Sequence, residues 1–313
     1  QFNTLVGSLA GDAITDASGN VAMGYAALST NTTGEFNTAI GREALEANLG
    51  ADHNTAVGFR AGEAITTGIR NTLIGGGAGD ALTDADSNVA IGYLSLTTDT
   101  LGSRAVAVGQ GALFSQNFTT ATNSYNVGIG YETGGAITTG TENTLIGGLA
   151  GDALTTGFSN VAVGVNALGA EDTGRKNVAI GYDALSTQNN DADTFNTAVG
   201  YDAGKAITTG VHNVIIGGLA GDAMTNADFN VAIGKGALST ETRGNSSIGI
   251  GESALQNQNF TTDVAANNVA IGQSAGGSVT TGVQNTLIGS SSGDALTDAD
   301  GNTSVGFGSL GFD

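Results

Sequence analysis

Five aspartates in glycine-rich turns, Asp12, Asp80, Asp152, Asp222 and Asp294, have the type and setting from which a calcium site could be built. Calcium needs six to eight oxygens, so in a repeating chain its carboxylates must converge from successive turns. The glycine-rich calcium loop also has a fixed order, Gly-Gly-x-Gly-x-Asp. Gly147-Gly148-Leu149-Ala150-Gly151-Asp152 does not keep that order, and Gly75-Gly76-Gly77-Ala78-Gly79-Asp80 misses it by one residue. The pattern predicts turn or surface aspartates and no cofactor. Asp80, Asp152 and Asp222 stay calcium candidates only if second carboxylates such as Asp84, Asp86, Asp298 or Asp300 join them.

Hydrolytic chemistry finds less. His53 and His212 are far apart, and no Ser/His/Asp spacing links them. Asp191 and Asp193 are neighbouring loop acids instead of a pair flanking a cleft, and the chain has no Trp to form a sugar platform. Without cysteine there is no thiolate catalysis, disulfide or Cys-based zinc site. The chain is therefore expected not to be an enzyme. Nine Lys and Arg stand against 29 Asp and Glu, a formal charge of −20. Nucleic acid and anionic membrane surfaces both need a basic stripe, and the sequence has none. No apolar run approaches the roughly 20 residues of a membrane-spanning helix.

What positions the aspartates is a repeat. The motif Asn-[Thr/Val]-x-[Ile/Val/Met]-Gly starts at Asn3 and returns 15 more times. AVAVG from Ala105 and SIGIG from Ser247 complete 18 rungs, most of them 17 residues long. Rungs are numbered here from Asn3, and positions 1 to 17 run within each. The segments beginning at Asn3, Asn71, Asn143, Asn213 and Asn285 share a Gly-Asp turn and recur every fourth rung, so the chain is a serial duplication of four-rung blocks. That period separates the five aspartates by about 19 Å, at ~4.8 Å per rung.

Position 2 is mostly Thr or Val and position 4 mostly Ile or Val, β-branched residues that suit a pleated strand. Positions 2 and 4 share one face and position 3 takes the other. Glycine at position 5 ends or bends the strand. A second apolar stretch at positions 8 to 12 predicts a second short strand. The expected fold class is all-β: a parallel β-solenoid or β-roll of about 18 coils in four-coil blocks, continuous over residues 1–313 and expected to be a segment of a longer chain. Rungs with glycine at position 9 carry Ile, Leu, Val or Met at position 12, whereas the others carry Leu at position 9, which predicts interdigitating cores. The position 1 residues, among them Asn20, Asn37, Asn54, Asn71, Asn88, Asn143, Asn160, Asn177, Asn213 and Asn230, predict an amide ladder along the stack.

Longer rungs place inserted loops near residues 114–125, 186–195 and 256–266, which should leave the stack. Phe114, Phe118, Tyr125, Phe195 and Phe260 are their candidate contacts to a receptor or glycan. A loop that tucks its Phe over the roll is the alternative. Residues such as Asn177-Val-Ala-Ile-Gly181 followed by Ala184, and Asn230-Val-Ala-Ile-Gly234 followed by Ala237, resemble the head repeats of YadA-like trimeric autotransporter adhesins. Similar repeats occur in bacteriophage tail-fibre proteins. The resemblance covers all 18 rungs, each over about six residues. It implies a left-handed roll, a homotrimer, and display at the cell surface, outside the cell or on a virion. The 17-residue rung is longer than the usual head repeat. The expected function is a rigid structural fibre or filament of a homo-oligomer. The alternative is an adhesin or receptor-binding head that recognises a cell-surface glycan or protein through the inserted loops.

Overall fold

The structure, a computed structural model, describes residues 2–311. It is an all-β parallel solenoid of about 18 turns, with no helix among the described residues. Two compact units divide it, Gln1–Phe158 and Ser159–Asp313. Each unit has nine three-residue strands, from Thr4–Val6 to Thr144–Ile146 in the first and from Val161–Val163 to Thr303–Val305 in the second. Strands pair in parallel and position for position: Thr55 faces Thr72, Ala56 faces Leu73 and Val57 faces Ile74.

Position 3 is the inward one. Ala22, Ala39, Ala56, Leu73 and Ala90 are fully buried, while positions 2 and 4 on either side are partly exposed. The expected second strand at positions 8 to 12 does not form. That stretch is a chain of tight turns, because positions 7 and 9 adopt left-handed backbone even where they are not glycine, as at Leu28 (φ 54°) and Leu45 (φ 49°). A residue at such a φ cannot continue a pleat. Its N–H groups instead close short turns, Ala61 to the Gly58 carbonyl and Ile65 to that of Gly62, or reach the next rung, as Leu45 does to Ala61. Left-handed backbone costs about 1–2 kcal/mol for a side-chain-bearing residue. Full burial of each Leu returns about 1.5–3 kcal/mol.

The alternation at position 9 makes room for large residues elsewhere. A Cβ on Gly62 would meet Leu73 Cδ1 at 2.7 Å, Leu45 Cδ2 at 3.0 Å and Ile65 Cδ1 at 3.2 Å. The missing side chain is thus replaced by position 3 of the following rung, position 9 of the preceding rung and position 12 of its own. The space at Gly79 is filled from its own rung, by Leu73 of position 3 and Leu82 of position 12, both at 2.8 Å. The Gly-Asp rungs alone carry a large residue at position 3, namely Leu5, Leu73, Leu145, Ile215 and Leu287.

At position 1 each Asn links neighbouring rungs. Asn54 Oδ1 accepts the Asn71 backbone N–H (2.9 Å), and its Nδ2 donates to the Gly68 carbonyl (2.8 Å). Asn20, Asn37, Asn71 and Asn88 make the same pair of bonds in the first unit. Asn177, Asn196, Asn213 and Asn230 accept the corresponding N–H in the second. Position 16 does similar work from the opposite side of the turn. Asp52, Asp86, Asp228 and Asp300 each accept the backbone N–H of position 16 one rung earlier.

Candidate functional site

The strand pattern leaves one face of each unit's sheet apolar and uncovered. Position 4 in the first unit reads Val6, Met23, Ile40, Val57, Ile74, Ile91, Val108, Ile129 and Ile146 in register. Ile74 is 38% exposed, and Ile129 and Ile146 are 37% exposed. In the second unit Ile180, Ile216, Ile271 and Ile288 occupy the same column at the same exposure. Thr and Val of position 2 lie beside them. Just past the position 5 glycine, position 6 adds exposed rings: Tyr25, Phe59, Tyr93 and Tyr131 in one unit, and the stacked pair Tyr182 and Tyr201 (5.6 Å) in the other. Isolated exposed aliphatics are ordinary, whereas a column of them in register forms a continuous apolar strip.

The inserted loops are less free than their length suggests. Phe118 and Phe260 turn inward and are 6% exposed, which withdraws them from any surface offered to a partner. Phe114, Tyr125 and Phe195 remain 40–51% exposed. Thr122–Asn123 pairs back onto Gly102–Ser103, and Val264–Ala265 onto Gly244–Asn245, so only short stretches such as residues 119–121 face solvent.

Sequence reasoning missed the acids that hold these loops. In successive rungs with Leu at position 9, position 12 pairs a buried acid with a buried amide: Asp99 with Gln116, Glu171 with Gln188, and Glu241 with Gln258. Asp99 accepts N–H bonds from Gly102 and Phe118, both at 3.0 Å, and from Gln116 Nε2 at 2.6 Å. Glu241 accepts from Gly244, Arg243, Phe260 and Gln258. Backbone donors around a carboxylate make its burial tolerable without a cation. Burial still pushes the Glu171 carboxyl above its ordinary value, against bonds from Gln188 and Gly174 that lower it. The signal was visible as the polar residue at position 12 wherever position 9 is Leu. The Gln of each pair extends the chain of bonds, Gln116 Oε1 accepting from Asn126 Nδ2 and Gln258 Oε1 from Asn268 Nδ2. This bridges the two rungs where Ala105 and Ser247 interrupt the Asn column.

The calcium candidates are not brought together. Asp80 Oδ1 accepts the Thr97 hydroxyl. Position 10 on either side of Asp152 is Gly135 and Gly169, and beside Asp222 it is Lys205 and Ser239. Burial raises the pKa of both Asp152 and Asp222. Among the described residues the acids that do converge are Glu43, Glu46 and Glu63, whose oxygens lie within 4.8 Å of one another. Arg60 holds that group, 2.8 Å from Glu43 and 3.4 Å from Glu63, and its hydrogen bond keeps the Glu43 carboxyl below its ordinary value. Both histidines lie in a column of rings at the last position of the rung, His53 against Phe36 and His212 between Phe195 and Phe229 at 5.3 and 4.9 Å. No protein-family model matches the chain, and no curated protein does.

Proposed function

We propose that the protein is a structural fibre component, a β-solenoid that associates with other copies of itself through the aliphatic columns of its sheet. The observation that carries this reading is the unbroken run of Val, Ile and Met at position 4 in every rung, left partly exposed on an otherwise acidic molecule. Fully burying an Ile contributes about 1.5–3 kcal/mol, so covering the exposed 37% contributes roughly 0.6–1.1 kcal/mol per residue. The five most exposed of these residues in the first unit, Val6, Met23, Ile74, Ile129 and Ile146, give roughly 3–6 kcal/mol, near the lower end of the ~4–15 kcal/mol that association costs, and the less exposed position 4 residues and those of positions 2 and 6 add to it. The resemblance of the repeats to trimeric adhesin heads and phage fibres supports a trimer displayed outside the cell or on a virion.

Sedimentation of the wild-type chain and of an Ile74→Asp/Ile129→Asp/Ile146→Asp variant tests the reading. The expected result is a wild-type particle of three chains and a folded, monomeric variant. A wild-type monomer at its highest soluble concentration, or a variant that assembles as well as wild type, overturns it.

A further inference from the structure

A hollow of about 420 Å³ opens in the first unit across rungs 6 to 9, on the side formed by positions 6, 7, 10 and 11. Its origin is two absent side chains. Position 7 carries Leu94 and Glu132 in the flanking rungs but Gly111 between them, and position 10 carries Phe114 and Asp152 but Gly135 between them. The rings of Tyr93 (60% exposed) and Phe114 (40% exposed) contribute apolar wall. Glu132 and Asp152 contribute two carboxylates, and none of the lining residues is Lys or Arg.

Elsewhere this chain supplies its own cation to such surroundings. Arg42 and Arg60 sit 4.8 and 5.2 Å from the Phe59 ring centre, Arg104 lies 5.7 Å from Tyr125, and Lys176 lies 5.0 Å from Phe195. A second hollow on the same columns, about 370 Å³ in rungs 13 to 15 of the other unit, contains Asp222 and Glu252 together with Lys235. The first hollow combines aromatic faces with two acids and has no such residue. Aromatic faces and carboxylates together select a desolvated organic cation over a neutral or anionic group of the same shape.

We propose that the hollow formed by Tyr93, Phe114, Glu132 and Asp152 is a binding site for an organic cation, a quaternary ammonium or a protonated alkylamine. Of its walls only Tyr93 and Gln110 belong to the position 6 column that borders the aliphatic face, whereas Phe114, Glu132 and Asp152 lie at positions 7 and 10, so binding is measured beside sedimentation of the same sample to tell its failure from a failure to assemble.

Calorimetric titration of the whole chain, at about 0.15 M salt to screen the general attraction of an acidic protein for cations, tests it. Three probes are choline, its neutral isostere 3,3-dimethylbutan-1-ol, and Nα-acetyl-lysine methylamide; methyl glucoside represents a neutral sugar. At least one cation should bind about tenfold or more tighter than the neutral isostere, the span that cation–π contact and desolvation provide. Whether choline or the lysine derivative binds tighter tells a headgroup-like ligand from a polypeptide side chain. Gly135→Leu plugs the hollow at a position that holds Phe, Lys or Glu in other rungs, and it should abolish binding. Phe114→Leu should weaken it several-fold and serves if the first variant does not fold. Equal affinity for the isostere, preference for the sugar, or cation binding that survives both substitutions overturns the proposal.

Discussion

Gly75 and Gly76 are adjacent, yet replacing each by Ala should have opposite consequences. Gly75 is a position 5 residue with φ +137°, and a Cβ there would lie 2.3 Å from the Gly92 carbonyl oxygen and 2.6 Å from its carbon. Both obstructing atoms belong to the backbone, so relief requires the two rungs to part by about 1 Å, since ordinary contact is near 3.4 Å. That movement stretches the bonds from Gly92 N–H to Ile74 (2.7 Å) and from Leu94 N–H to Gly76 (3.0 Å). Two weakened hydrogen bonds at about 1 kcal/mol each, with about 1–3 kcal/mol for a side chain in glycine-only backbone, give roughly 3–5 kcal/mol. At Gly76 the nearest atom to an added Cβ is Tyr93 Cδ2 at 3.5 Å, and φ is not left-handed. Gly76→Ala should therefore be neutral or stabilise by about 0.4–1 kcal/mol by restricting the unfolded chain. Urea titrations of the two variants should be combined with amide exchange of rungs 5 and 6, because a stacked repeat loosens locally before it unfolds. If Gly75→Ala lies within about 1 kcal/mol of Gly76→Ala, the steric account of the glycine column is wrong.

Asn54→Ala should cost about 2–6 kcal/mol, because it strands the buried Asn71 N–H and Gly68 carbonyl at about 1–3 kcal/mol each; a denaturant midpoint close to wild type would contradict that. The pH dependence follows from the carboxylates that burial raises, Glu63, Asp152, Glu171 and Asp222. Between their ordinary values, 4.5 for Glu and 3.8 for Asp, and the raised folded values, the folded state binds more protons. Stability therefore rises as pH falls through that window, and falling net charge adds to the effect. Glu43, held low by Arg60, and Asp183, held low by Lys205 and Asn166 despite burial, lose their contribution only at lower pH. Melting temperatures measured from neutral pH down to about 5 should increase; a steady decrease would refute this balance.

The period, the strand at positions 2 to 4 and the exchange of bulk between positions 9 and 12 were legible because each depends on side-chain size repeated in sequence. The inward face was harder to read. Ile74 and Val57 are more apolar than Ala56, so hydrophobicity alone would bury the wrong side of a three-residue strand. The turns at positions 7 and 9 were hidden because Leu28 and Leu45 disguise a backbone that glycine would have announced. The burial of Glu171 and Glu241 was not legible, since several of the N–H groups that accommodate them come from a loop whose path only the structure shows. The same holds for Phe118 and Phe260, whose inward turn depends on that path.

The filling of Gly62 by Leu45, Leu73 and Ile65 also bears on how such a chain can change length. Removing residues 54–70 would preserve every backbone pairing rule, yet it would bring the Leu45 rung directly against the Leu73 rung, with one vacated site in place of two. Removing a whole block restores every neighbour. Growth or loss is therefore neutral to the core only in multiples of four turns, the 68, 72, 70 and 72 residues that separate Asn3, Asn71, Asn143, Asn213 and Asn285. A molecule built this way has a ruler graduated in blocks, and recombination between blocks can lengthen or shorten it without the core having to adapt.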